Sequence, residues 1–178
     1  KKLKKNVNIS KVSEIQFNYF EGLACNAIHF IDFISSWKKM IPIKLDTSKL
    51  EDWYESKRKG FYDVYGELKI VFSDNTILTL KSFNNKSDYH CTIKEEKKIW
   101  KLIEAKKHFY SNENKVIEGH VEYQSELTGK LIEKILLSQK CDLPELDWSI
   151  DCHELLIESL LNYWNSYYKT NNNVLPIT

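Results

Sequence analysis

The sequence predicts an α+β domain: antiparallel β-sheet hairpins with a few helices, arranged as two pseudo-repeats in one body. Three observations carry this expectation. They are apolar alternation through Glu67–Lys81, a helix-spaced apolar set at Ile99, Leu102 and Ile103, and an echo between the two halves of the chain. In the first, Leu68, Ile70 and Phe72 alternate with Glu67, Lys69 and Val71, and Leu78 and Leu80 alternate with Thr79 and Lys81. That is the period of strands with one buried face. Between the two runs, Ser73-Asp74-Asn75-Thr76 supplies side chains that tolerate left-handed backbone and bond their own main chain. A hairpin follows.

The segment KEEKKIWKLIEAKKHF, Lys94 to Phe109, places Ile99, Leu102 and Ile103 as one helix face. Charges of alternating sign decorate the other side, as on a solvated helix. Ser111-Asn112-Glu113-Asn114 then reads as a loop.

The echo joins YGELKIVFSDNTILTLKSFNN, from Tyr65, to CHELLIESLLNYWNSYYKTNN, from Cys152. At an offset of 87, Glu154 falls on Glu67, Leu155 on Leu68, Ile157 on Ile70 and Tyr167 on Leu80. Upstream, at an offset of 104, Phe17 meets Val121, Tyr19 meets Tyr123, Leu23 meets Leu127, Ile28 meets Ile132 and Ile31 meets Ile135. The offsets differ by 104 − 87 = 17 residues, an insertion in the first copy within KKMIPIKLDTSKLEDWYESKRKGF. The second segment admits another reading, because Leu156, Leu160, Leu161, Trp164 and Tyr168 also form a helical stripe. The expected organisation is a basic tail over 1–12 and a single domain over 13–178, with repeats at about 13–85 and 117–172.

Composition narrows the function classes. The 178 residues are 42% hydrophobic and 13% aromatic, enough for a filled core. Lysine and arginine number 26 against 25 acidic residues, and Arg58 is the sole arginine. That balance argues against a nucleic-acid binder. KKLKK is followed by residues too polar for a signal peptide, and no apolar run approaches a membrane span. The expectation is a soluble, cytoplasmic protein.

The frame L-x-G-K-x-I-x-x-I at Leu127–Ile135 and the segment E-L-x-I-x-F-x-D-N-x-x-L-x-L at Glu67–Leu80 together resemble small α+β immunity proteins of bacterial polymorphic toxin systems. In those proteins a G-K-x-I-x-x-I strand leads into a hairpin. The resemblance implies a protein-binding module that neutralises a cognate toxin, with no enzymatic activity and no cofactor. The alternatives are a small ligand-binding protein or enzyme with a pocket site lacking a linear motif, or a nucleic-acid-associated regulator.

Candidate sites are weighed against plainer readings. His90-Cys91, Cys141 and Cys152-His153 are zinc-type donors, but they lack C-x-x-C spacing, and neighbours on a strand point to opposite faces. No metal site is expected. Phosphate loops of the G-x-x-x-x-G-K or G-x-G-x-x-G type do not occur. The inserted connection clusters Trp53, Tyr54, Arg58 and Tyr62, the residue types that concentrate binding energy at interfaces. These four are the expected partner-binding residues, set against the plainer reading that Trp53 and Tyr54 cap the core.

Overall fold

The computed structural model describes residues 5–84, 89–103, 108–112, 116–118, 124–141 and 143–177. Eight strands among them form one sheet: β1 (Val12–Tyr19), β2 (Pro42–Glu55), β3 (Tyr62–Phe72), β4 (Ile77–Ser82), β5 (His90–Glu95), β6 (Lys98–Ile103), β7 (His108–Ser111) and β8 (Val116–Glu118). Their order is β2-β3-β4-β1-β5-β6-β7-β8. β1 and β4 run parallel, and the other neighbouring pairs are antiparallel. The helices are α1 (Leu23–Lys38), α2 (Gln124–Ser138) and α3 (Leu146–Tyr168).

Alternation decides which face of the sheet is covered. Ile15 and Phe17 of β1, Leu68, Ile70 and Phe72 of β3, Leu78 and Leu80 of β4, and Cys91 and Ile93 of β5 are all buried. Helix α1 lays Leu23, Ala24, Ala27, Ile31 and Ile34 into this core. Helix α3 adds Cys152, Leu156, Leu160 and Trp164, one residue per turn. α1 packs on β3 and β4, and α3 packs on β2 and on α1. Both helices end at a lysine in the left-handed conformation, Lys39 and Lys169.

The expected hairpin is present as β3 and β4, with Leu68 opposite Leu80 and Ile70 opposite Leu78. Its turn uses the residues singled out above: Asn75 is left-handed (φ 64°), and the Thr76 N–H donates to the Asp74 carboxylate at 3.0 Å.

Three expectations are corrected. Residues 154–168 lie inside continuous helix α3, so the equivalence with the β3–β4 hairpin fails, and the described residues do not show the pseudo-repeat. The helical stripe Leu156, Leu160, Trp164 prevailed because it buries one residue on every turn. Ile99, Leu102 and Ile103 sit on β6, which pairs with β5 in a hairpin, not on a helix. There the turn residue Glu96 takes φ 50° without the usual glycine or asparagine. Gly129-Lys130 belongs to helix α2, so the G-K-x-I-x-x-I frame is not a strand.

Gly66 shapes the β2 side of the sheet. It sits in β3 at φ 111°, and a Cβ there would lie 2.5 Å from the Lys49 carbonyl oxygen and 2.8 Å from the Leu50 Cα. Only glycine permits that approach. β2 shifts register three times along β3, between Pro42 and Lys44, Asp46 and Lys49, and Leu50 and Trp53. Such bulges bend and twist a strand.

Candidate functional site

β1 lies at the point where the strand order changes direction, between β4 and β5. β1 and β4 run parallel, so their carboxyl ends lie side by side, with Tyr19 opposite Ser82. Polar and titratable groups concentrate at this end of the fold.

β1 ends at Tyr19, and Phe20-Glu21-Gly22 turns the chain into α1. Gly22 is left-handed (φ 87°), and a Cβ there would collide with the Asn26 side chain and come within 3.2 Å of the Cys25 sulfur. The Gly22 N–H donates to the Tyr54 hydroxyl at 3.1 Å. The Ser82 hydroxyl, at the end of β4, donates to the Phe20 carbonyl at 3.0 Å. Asp63, from the start of β3, completes the turn. It is 3% exposed, and its Oδ1 accepts the N–H groups of Ala24 and Val64, each at 2.7 Å. Its Oδ2 faces the Cys25 N–H at 3.5 Å. A carboxylate from another strand thus caps α1 and meets the positive end of its dipole.

Tyr19 lies beneath this cap, its ring against Phe30 of α1 at 5.3 Å. Its hydroxyl is buried and has no hydrogen-bond partner among the described residues. Burial, and then the Asp63 charge, push its pKa well up, so it stays a neutral phenol. Tyr54 stacks on Tyr65 with ring centroids 4.1 Å apart. Burial first, and then nearby acidic groups, raise both of their pKa values as well, although the Gly22 N–H works the other way on Tyr54. On the outer surface of α1, Cys25 and Asn26 are half-buried and His29 is exposed. Their three- and four-residue spacing puts them on one face beside the cap. Across the sheet end, Asn18 contacts His90, and Gln16 donates to Asn18 at 3.0 Å.

Farther along α1, Asp32 accepts the Ser149 hydroxyl at 2.9 Å, and His153 lies one turn on, with its Nδ1 2.7 Å from the Ser149 carbonyl oxygen. The serine proton points at the carboxylate and not at the imidazole. This set ties α1 to α3 and lacks the base-to-nucleophile arrangement of a hydrolase.

Of the four residues singled out in the inserted connection, Trp53 and Tyr62 meet on Trp164. Trp53 is buried, 4.9 Å edge-on to Trp164 and 6.1 Å from Tyr163. Tyr62 packs edge-on against Trp164 at 5.1 Å. Arg58 lies in the exposed turn after β2, over the Phe61 ring at 5.5 Å. Tyr54 alone reaches the α1 end. The four cysteines carry free thiols, and among the described residues no three His, Cys, Asp or Glu side chains are grouped to hold a metal ion. Asp63, Tyr19, Asn26 and His29 escaped the sequence reading. The one linear signal was an isolated glycine, Gly22, between a strand pattern and an apolar helical stripe.

No family model and no curated protein matches the sequence. Solved structures do. UDP-N-acetylglucosamine 3-dehydrogenase from Acidithiobacillus ferrooxidans superposes with a TM-score of 0.56 at 7% identity, over 86% of this chain and 53% of its own. The dehydrogenase MviM from Clostridium difficile gives 0.57 at 13% identity, over 91% of this chain and 57% of that one. Gal80p from Saccharomyces cerevisiae, as a super-repressor mutant, gives 0.53 at 11% identity, over 95% and 59%. The fold is shared with dehydrogenases. This chain spans a little more than half the length of these neighbours. The immunity-protein resemblance, and with it the expectation of a toxin-neutralising module with no enzymatic activity, is overturned by these likenesses to dehydrogenase folds. Its two motifs are a generic hairpin and a helix segment. Among the described residues no helix is long and apolar enough to cross a membrane.

Proposed function

We propose that this chain is the ligand-binding part of an oxidoreductase-type protein, engaging a small polar ligand at the amino end of α1. The observation that carries the reading is the buried Tyr19 hydroxyl, without a hydrogen-bond partner among the described residues, beside the Asp63-capped turn on a fold that dehydrogenases share. Asp63 and Tyr54 are occupied in holding the turn. Asn26 and His29 stand at the rim with an amide and an imidazole, groups that can both donate and accept hydrogen bonds. Their part is to bind and orient the ligand.

A nicotinamide dinucleotide does not fit this chain's own residues. It has no glycine-rich phosphate loop, and the Ala24 and Cys25 N–H donors at the α1 terminus already face the Asp63 carboxylate. The likeness to Gal80p, whose structure is that of a super-repressor mutant, favours one second reading, a regulatory role built on the same site.

Calorimetric titration of the chain with a panel of sugars and hydroxy acids tests the proposal. Asn26→Ala and His29→Ala should each weaken the ligand that binds by about tenfold, or about 1.4 kcal/mol, with the melting temperature unchanged. Unaltered affinity in both variants would remove the α1 end from the site.

A further inference from the structure

On the sheet face that carries neither α1 nor α3, the bent strand β2 borders a cleft of about 270 Å³ that crosses four strands. Asp46, Ser48 and Lys49 come from β2, Glu67 and Lys69 from β3, Ile77 and Thr79 from β4, and Glu14 and Gln16 from β1. Strand register arranges the polar ones in rows. Asp46 is opposite Lys69, Lys69 opposite Thr79, and Thr79 opposite Gln16. In the next row Lys49 and Lys81 flank Glu67, with Nζ–O distances of 3.3 and 2.7 Å. At the far edge Glu14 pairs with Lys94 at 2.9 Å.

Every carboxylate of the cleft therefore has a lysine partner, by contact or by cross-strand register, and the field inside is nearly balanced. A balanced cleft gives an ion little to offset its lost hydration. It suits a neutral ligand rich in hydrogen-bonding groups. The lysine–carboxylate contacts at Glu67 and Glu14 display a donor about 3 Å from an acceptor, close to the spacing of two neighbouring ring hydroxyls, and a hydroxyl can both donate and accept. The Thr79 hydroxyl and the Gln16 amide add contacts on the floor, and Ile77 offers an apolar patch for a ring's C–H face. The volume lies just below the about 300–1,000 Å³ of drug-sized sites, which fits one sugar-sized ring and not a nucleotide. We propose that this cleft binds a single neutral polyhydroxylated ring, at a site separate from the α1 end.

The test is amide chemical-shift mapping of the whole chain against methyl glucoside and myo-inositol, with glucuronate and inorganic phosphate as charged comparators. The expected result is saturable shifts at Gln16, Glu67, Lys69 and Thr79 with the neutral rings, and at least about tenfold weaker binding of both anions. Thr79→Val and Gln16→Ala should each lower neutral-ring affinity several-fold without moving the melting temperature. Should either variant fold poorly, the wild-type comparison of neutral and charged ligands decides alone. Preferential binding of phosphate or glucuronate, shifts confined to the α1 end, or no shifts at the cleft would overturn the proposal.

Discussion

Replacing Asp63 with alanine removes the acceptor of two short backbone hydrogen bonds, from Ala24 and Val64 at 2.7 Å each. The site is 3% exposed, so water is poorly placed to replace the carboxylate. A hydrogen bond to a charged group contributes about 1.5–3 kcal/mol net, and loss of a helix cap costs about 1 kcal/mol. These overlap, because the Ala24 bond is the cap, and the expected loss is about 3 kcal/mol. For a chain of this length that corresponds to a fall in melting temperature of about 6–12 °C. Asp63→Asn keeps Oδ1 as the acceptor of both the Ala24 and Val64 N–H groups, gives up only the long Oδ2 contact to Cys25, and loses mainly the charge at the helix terminus, worth about 1 kcal/mol. Urea denaturation with matched thermal melts, on wild type and both variants, measures this. A loss under about 1 kcal/mol for the alanine variant, or an asparagine variant worse than alanine, would refute the assignment of Asp63 as the inter-strand cap.

Gly66→Ala should cost about 3 kcal/mol or more, because a positive φ and a Cβ pressed on the Lys49 carbonyl act together; chemical denaturation reads this directly. Trp53→Ala should cost about 3–5 kcal/mol, since the indole is buried against Trp164 and Tyr163; a stable variant would return Trp53 to a surface role. Acid titration should expose the carboxylates of Glu67 and Asp74. Burial raises both pKa values, but the Lys49 and Lys81 ammoniums outweigh it at Glu67, and Lys38 and Thr76 outweigh it at Asp74. Folded values below unfolded ones mean that the stabilisation is present above the ordinary carboxylate range, about 3.9–4.3, and is lost as pH falls through the folded values. Glu67→Gln and Asp74→Asn should flatten that acid limb in equilibrium unfolding followed as a function of pH.

Local pattern carried the β3–β4 hairpin, because alternation and the Asp74-Asn75 turn both lie within a few residues. It failed at β5–β6, where Trp100 and Ile93 pair across strands but Ile99, Leu102 and Ile103 mimic a helix face. The turn at Glu96 gives no glycine or asparagine signal to break the pattern. In the second half, Leu155 and Ile157 suggested alternation, yet burial falls on Cys152, Leu156, Leu160 and Trp164. The inference of a repeat rested on the wrong period. The candidate site was less legible still. Asp63 reaches Ala24 across 39 residues of sequence, and Tyr19 is notable for a hydroxyl without a partner among the described residues. Neither relation has a linear spacing. The cross-strand rows of the polar cleft likewise depend on sheet order, which places β1 beside β4 and β5.

The most direct measurement of the central claim is backbone amide chemical-shift mapping of the wild-type chain with small hydroxy acids and sugars, alongside reduced nicotinamide dinucleotide. At least one small ligand should perturb Gly22–Asn26, His29, Tyr54 and Val64, while the dinucleotide should leave the spectrum unchanged. Dinucleotide binding to this chain, or a small-ligand panel that leaves the α1 end unperturbed, would contradict it.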